Sequence, residues 1–309
     1  MRRKVSISVA VAAAACITAG CGSGTGGGTN STERPKGETV AISDSKLRDL
    51  TVPEEREIEK AEQILVKACM ENRGFKYWVE PVTSADARRV GRYANDDVAW
   101  AKKYGYGRPF DEAAEKARGE SPNVRYPNSL PQQDRIRYSL ALDGDYDDVV
   151  RVELPAGGTV ETPRKGCWAE TRTRLYGDAE KWFKAKKTVT SLTPIYVPEI
   201  LAADRLKKAV AAWSSCMEEA GRPFSSPEEL GAKRDAATAH MNSREAREFD
   251  IALAVTDAGC SSRTSLGRIA RDMETQYRSK LLKKYATENS AYQRMRLTAL
   301  ARARDLKNR

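Results

Sequence analysis

The chain has 309 residues, of which 40% are hydrophobic, 31% charged and 7% aromatic. With a mean hydropathy of −0.62 it has room for one or two soluble domains and is too polar for a multi-span membrane protein. Fifty-three Lys and Arg against 43 Asp and Glu leave a net charge of +10, and a single histidine, His240, excludes multi-histidine zinc centres and H-E-x-x-H proteases.

Met1-Arg2-Arg3-Lys4 precedes an apolar stretch from Val5 to about Ile17, the layout of an export signal and too short to span a bilayer. Thr18-Ala19-Gly20-Cys21 follows. It resembles the lipobox of bacterial lipoproteins, whose cysteine thiol receives a diacylglyceryl group before cleavage just ahead of it, although Thr18 stands where leucine is usual. The resemblance implies a signal peptide over residues 1–20 and an acylated, membrane-anchored Cys21. An ordinary secretory signal cut near Ala19, with Cys21 unmodified, is the competing reading. Residues 22–36, GSGTGGGTNSTERPK, cannot bury a core and read as a tether. Extended to residue 44, such a coil spans about 25–30 Å, which would keep the folded part at the extracytoplasmic face of the cell membrane.

Of six cysteines, Cys16 lies in the signal and Cys21 in the lipobox, leaving Cys69, Cys167, Cys216 and Cys260. Four cysteines in an exported chain point to two disulfides, with three possible connectivities. Zinc binding is disfavoured because C-x-x-C is absent, so no metal and no cofactor are expected. Without Arg2, Arg3 and Lys4 the net charge falls to +7, and the segment from Arg263 to the end carries +9 of its own.

Thr51-Val52-Pro53-Glu54 is a capping box, and Ile58, Ala61, Leu65, Ala68 and Cys69 then recur on one helical face until Gly74. Shorter helices are predicted over residues 96–104 and 111–118, stopped by Gly105 and Gly119. A further helix is predicted from Ser129-Leu130-Pro131-Gln132, with Ile136 and Leu140 inward and Tyr138 as a further inward candidate. Val149 to Leu154 and Thr159 to Thr162, joined through Pro155-Ala156-Gly157-Gly158, predict a β-hairpin. One helix is expected from Gly166 to about Lys187, after which Pro194 and Pro198 punctuate the chain. Leu206, Val210, Trp213 and Met217 mark a helix ending at Gly221; Ser226-Pro227-Glu228-Glu229 caps another to about Ala239. Residues 244–258 form a helix closed by Gly259, and a stripe from Leu266 to Ala299 predicts one long helix with a break near Asn289.

Cys69-Met70-Glu71 with Gly74 matches Cys216-Met217-Glu218 with Gly221. Each is followed by an Ala/Leu helix and a Gly-Cys pair, Gly166-Cys167 and Gly259-Cys260, so the order of elements occurs twice. This duplication predicts disulfides within each copy, Cys69 to Cys167 and Cys216 to Cys260. With lipobox, tether and paired CM-x-x-x-G helices, the chain resembles uncharacterised secreted or lipid-anchored proteins of actinomycetes. The resemblance covers the chain from Cys21 onward and implies location and disulfides, not an activity. The expected fold is mainly α: two unequal helical repeats over residues 45–190 and 191–309, one small hairpin and a long basic C-terminal helix.

Candidate chemistry is sparse. Asp143, Asp145, Asp147 and Asp148 crowd one loop, but the EF-hand pattern fails and a solvated turn is expected. His240 falls at a helix end, where a capping role suffices. Among the tryptophans, Trp78 is the candidate surface platform for a glycan, whereas Trp213 lies on a core face. Lys280, Lys283 and Lys284, with Arg268, Arg271, Arg294, Arg302 and Arg304, are expected to be mostly solvated and to offer a basic surface to an anionic membrane or wall polymer. The favoured function is a non-catalytic envelope lipoprotein binding such a polymer or an envelope protein. The alternative is a cell-wall-acting enzyme whose Asp or Glu residues no spacing identifies. Export disfavours a nucleic-acid partner.

Overall fold

A computed structural model describes residues 42–91 and 93–308. The expected export signal, Cys21 and the expected tether up to residue 41 lie outside the described residues.

The first long helix, α1 (Val52–Asn72), starts where its capping box predicts. The Thr51 hydroxyl accepts from the Glu54 amide, and the Glu54 carboxylate accepts from the Thr51 amide at 2.9 Å. Arg48 lies 2.6 Å from the same carboxylate, and these bonds pull Glu54 down to about 2. The helix buries Ile58, Ala61, Leu65, Val66 and Met70. Four shorter helices follow: α2 (Val98–Tyr104), α3 (Arg108–Glu120), α4 (Pro122–Ser129) and α5 (Gln132–Leu142). The strands β1 (Val149–Glu153) and β2 (Thr159–Pro163) pair antiparallel from Val149 opposite Pro163 to Glu153 opposite Thr159. Then come α6 (Cys167–Tyr176), α7 (Ala179–Thr190), α8 (Thr193–Ala202), α9 (Asp204–Glu219), α10 (Pro227–Thr238), α11 (Ser243–Arg263), α12 (Leu266–Lys284) and α13 (Ala286–Lys307). The fold is therefore mainly helical, with one hairpin and a long C-terminal helix.

Several boundaries differ from the sequence expectation, each for a local reason. The helix expected over residues 166–187 is two, because Gly177 takes φ 96° and Asp178 then caps α7 by accepting from the Lys181 amide. Gly119 and Gly259 instead remain inside helices, so α3 and α11 run past their expected ends. The prolines at 194 and 198 do not interrupt structure. Pro194 sits in the first turn of α8, where its missing N–H has no partner to lose, and Tyr196 and Ile200 bury the face that holds the helix in place. On α5 Tyr138 is inward as the sequence allows, together with Ala141, whereas Ile136 and Leu140, also expected inward, are 54% and 47% exposed. The C-terminal stripe breaks at Tyr285, not near Asn289.

That break has a packing cause, because α12 and α13 serve different cores. One core joins α1, α6, α7 and α13 through Leu65, Leu175, Trp182, Tyr292 and Leu300. The other joins α8, α9, α11 and α12 through Tyr196, Leu206, Trp213, Met217, Leu253 and Leu266. In addition, α2, from the first half of the sequence, packs on α11. Residue 190 is thus a boundary in the sequence repeat but not between the cores, and the described residues belong to one compact unit.

Cys69 is joined to Cys167 and Cys216 to Cys260, with Cα separations of 5.6 and 5.7 Å. The Gly-Cys pairs that suggested the repeat are not equivalent locally. Gly166 takes φ 103°, and a Cβ there would press on the Gly144 amide at 2.7 Å, so this glycine lets α6 begin against the end of α5. Gly259 lies mid-helix with open space beside it. In the second copy the chain turns later, at Ser265, with φ 60°.

Candidate functional site

A concavity of about 720 Å³ lies between α8, α12 and the segment preceding α2. Its walls are apolar: Val90, Ala94, Val197, Ile200, Leu201 and Ala270. A concave, mainly apolar site with a few placed polar groups is the usual form of a small-ligand pocket.

Two polar clusters shape it. Arg271 donates to both oxygens of Asp96, at 2.9 and 2.7 Å, tying the segment before α2 to α12 and holding the Asp96 carboxyl below its usual range. The approach is close enough that a Cβ on Gly267 would meet the Asp96 carboxylate at 2.8 Å. Glycine at this helical position is therefore what lets the wall close. Across the cleft, the Tyr196 hydroxyl donates to Glu274 at 3.1 Å and lies 3.3 Å from the Thr193 hydroxyl. Burial, reinforced by the Glu274 charge, raises the Tyr196 phenol. Burial and the neighbouring Glu228 carboxylate raise Tyr93, another lining residue.

A second polar network is buried beneath α11. Asp257 accepts from the Trp213 indole at 2.9 Å, the Tyr106 hydroxyl at 3.1 Å and the Ser261 hydroxyl at 3.2 Å. Burial raises the Asp257 carboxyl despite these three bonds. Asp250, two turns earlier, accepts from the Tyr106 amide at 3.0 Å, and Arg234 lies 3.9 Å from its other oxygen. A Cβ at Gly105, with φ 61°, would overlap the Asp250 carboxylate. The two aspartates pin the turn between α2 and α3 onto α11. This is an architectural use of acidic groups rather than an open pair of carboxylates.

The sequence candidates are dispersed. Trp78, 36% exposed, sits by a separate groove of about 480 Å³ formed with α3 and α4. Its backbone is clamped by the Asn123 side chain, which accepts from the Trp78 amide at 2.9 Å and donates to its carbonyl at 2.8 Å. Lys280, Lys283 and Lys284 are exposed on the last turns of α12, about 9–15 Å along the helix from Glu274. The basic residues expected to be solvated with them divide. Arg268 is exposed near Asp272, but Arg271 is bound to Asp96 and Arg304 donates to Glu57 at 3.0 Å. Arg302 caps α6 by donating to the carbonyls of Arg174 and Leu175, and Arg294 donates to the Ile42 carbonyl. The arginines of α13 are therefore fasteners rather than a free basic face.

In the acidic loop, Asp145 accepts from the Asp147 amide and Asp148 pairs with Arg164 and Lys165; no group of three potential metal ligands occurs among the described residues. His240 is exposed beyond α10, and the cap of the next helix is Asn242.

Sequence reading missed the cleft. The available signal was Ile195, Tyr196, Val197, Ile200 and Leu201, an apolar cluster read as broken by its prolines. No family model, no curated protein and no solved structure matches the chain.

Proposed function

We propose that the protein is a cell-envelope lipoprotein that binds its ligand without transforming it, held through Cys21 at the outer face of the cytoplasmic membrane. The observation that carries this reading is the lipobox-like Thr18-Ala19-Gly20-Cys21 and its Gly-rich tether, joined to a body with two disulfides. Disulfides persist in oxidising compartments, which fits export. A cleft of about 720 Å³ supports binding, and no helix among the described residues is long and apolar enough to cross a membrane, so a lipid supplies the anchor in this reading. Lys280, Lys283 and Lys284 add attraction to an anionic membrane or wall polymer, about 1 kcal/mol for each lysine that reaches the surface, weakened by salt.

Replacing Cys21 by Ala in the full chain should shift the protein from the membrane fraction to the medium or block its maturation. The released protein should retain weak, salt-sensitive sedimentation with anionic vesicles, and reversing Lys280, Lys283 and Lys284 should reduce it. Full membrane retention by the Cys21→Ala chain, with no acyl mass on the wild-type N-terminus, refutes the anchor.

A further inference from the structure

The cleft between α8 and α12 offers a ligand apolar walls and, among the described residues, one carboxylate outside any ion pair, and the geometry points to an amphiphile with an apolar chain and an ammonium-type head. This inference rests on the reading of the protein as a binding module and adds the chemistry of the ligand.

The argument turns on which polar groups are already engaged. Arg271 is the obvious receptor for a carboxylate or phosphate head, but both of its terminal nitrogens bind Asp96. A bidentate pair of this kind is among the stronger polar contacts, and a ligand anion would have to break it. The pair is neutral as a unit. Glu274 differs. Its Oε1 accepts from Tyr196, and it forms no ion pair with a described residue; Arg278, one helical turn further on, acts on the Tyr196 hydroxyl through its charge without bonding Glu274. The Tyr196 hydroxyl donates to Glu274, so the carboxylate and the two hydroxyl oxygens of Tyr196 and Thr193 stand as acceptors at this wall, beside the Thr275 hydroxyl. A ligand head that fits must bring hydrogen-bond donors, and a positive charge balances the carboxylate.

The rest of the ligand follows from the walls. Ala94, Val197, Ile200, Leu201 and Ala270 have no polar side-chain atoms to satisfy, so they reward contact with hydrocarbon, at about 0.8 kcal/mol for each CH₂ removed from water. A cleft of about 720 Å³ has room for a chain as well as a head.

Two probes with the same tail and opposite heads test this: octylammonium and octanoate, titrated into the mature full chain below their micelle-forming concentrations, with binding followed by calorimetry. Octylammonium should bind at least about tenfold more tightly than octanoate, as expected of a charge-assisted hydrogen bond. Glu274→Gln should bring the two within about twofold of each other, because the amide keeps the shape and loses the charge. Thr275→Trp, at the exposed rim of the cleft, should weaken both. Glu274 and Thr275 are both exposed, so these variants should unfold at the wild-type temperature, which separates loss of a site from loss of fold. Octanoate binding as well as octylammonium overturns the proposal. So does a preference that survives Glu274→Gln, or a failure of both probes to bind. Membrane release by Cys21→Ala is read independently, so a ligand failure leaves the anchoring result intact.

Discussion

The Cys69–Cys167 bridge itself packs with Val66, Met70, Phe75, Tyr77, Tyr138 and Ala141, while another part of the two helices it joins, at Leu65 and Leu175, is covered by α13, 22 residues long, which lays Tyr292 on Trp182 at 5.3 Å while Trp182 stacks on Tyr176 at 3.7 Å. Around Cys216–Cys260 the covering helix is α8, ten residues with Pro198 inside it, and the cleft opens where α8 faces α12. The helices being covered correspond closely. Met70 and Met217, each one residue after its cysteine, are both fully buried, as are Val66 and Trp213, each three residues before. Seven residues before, the first core has Glu62 and the second Ala209. Similar stapled helices thus carry a long aromatic-bearing cover in one case and, in the other, a short proline-bearing one beside a cleft. The difference locates ligand space in the covering helix rather than in the repeated motif.

The largest expected effects come from opening the staples. Loop-closure entropy assigns about 4.7 kcal/mol to a bridge spanning about 100 residues and about 4 kcal/mol to one spanning about 44, as upper figures; the separations here are 98 and 44. Paired Cys→Ala replacement at 69 and 167 should therefore lower stability slightly more than at 216 and 260, measured by urea unfolding without reductant. A clearly larger loss from the second pair would show that the core with the cleft depends on its staple more than chain entropy requires.

A smaller effect separates the equivalent positions Val66 and Trp213. Trp213 donates its indole N–H to buried Asp257, whereas the valine has no polar partner to offer. Trp213→Phe should cost about 1–3 kcal/mol, the price of leaving a buried carboxylate short of one donor. A loss below about 0.5 kcal/mol would mean that Tyr106 and Ser261 satisfy Asp257 by themselves.

Periodicity and capping residues made much of this fold legible. Thr51 and Ser226 cap helices where their local sequence says they should, and the duplicated Cys-Met-Glu order gave the bridging found in the structure. Other features are settled by tertiary contacts that one sequence does not display. Gly177 and Gly259 look alike in the sequence, yet one ends a helix and the other lies within one. Nothing local tells that α13 covers the first core while α8 covers the second, or that Arg302 and Arg304 face partners on α6 and α1. The cleft was illegible for the same reason: Asp96 and Arg271 are distant in sequence, and Gly267 matters only because Asp96 arrives against it.

The smallest effect tests the remaining difference, the carboxylate at position 62. Burial raises the half-buried Glu62 carboxyl, opposed by a hydrogen bond from Tyr176 and by the charges of Lys186 and Arg172. An acid whose folded pKa lies above its unfolded value binds its proton more readily when folded. It therefore burdens stability most at pH values above both pKa values, and the burden fades as pH falls toward the unfolded value near 4.5. Gln at this position keeps an oxygen to accept from Tyr176 and carries no charge. Glu62→Gln should stabilise the protein at pH 7 by a few tenths to about 1 kcal/mol, and the advantage should shrink steadily toward pH 4.5. Glu54 and Glu229, both held at about 2, act in the opposite sense, contributing stability that is lost as pH falls from about 4.5 through 2. Asp257 shares the direction of Glu62. All three are present in both proteins and cancel from the difference, so a difference that stays flat from pH 7 to 4.5 would show that Glu62 is not penalised by burial in the first core.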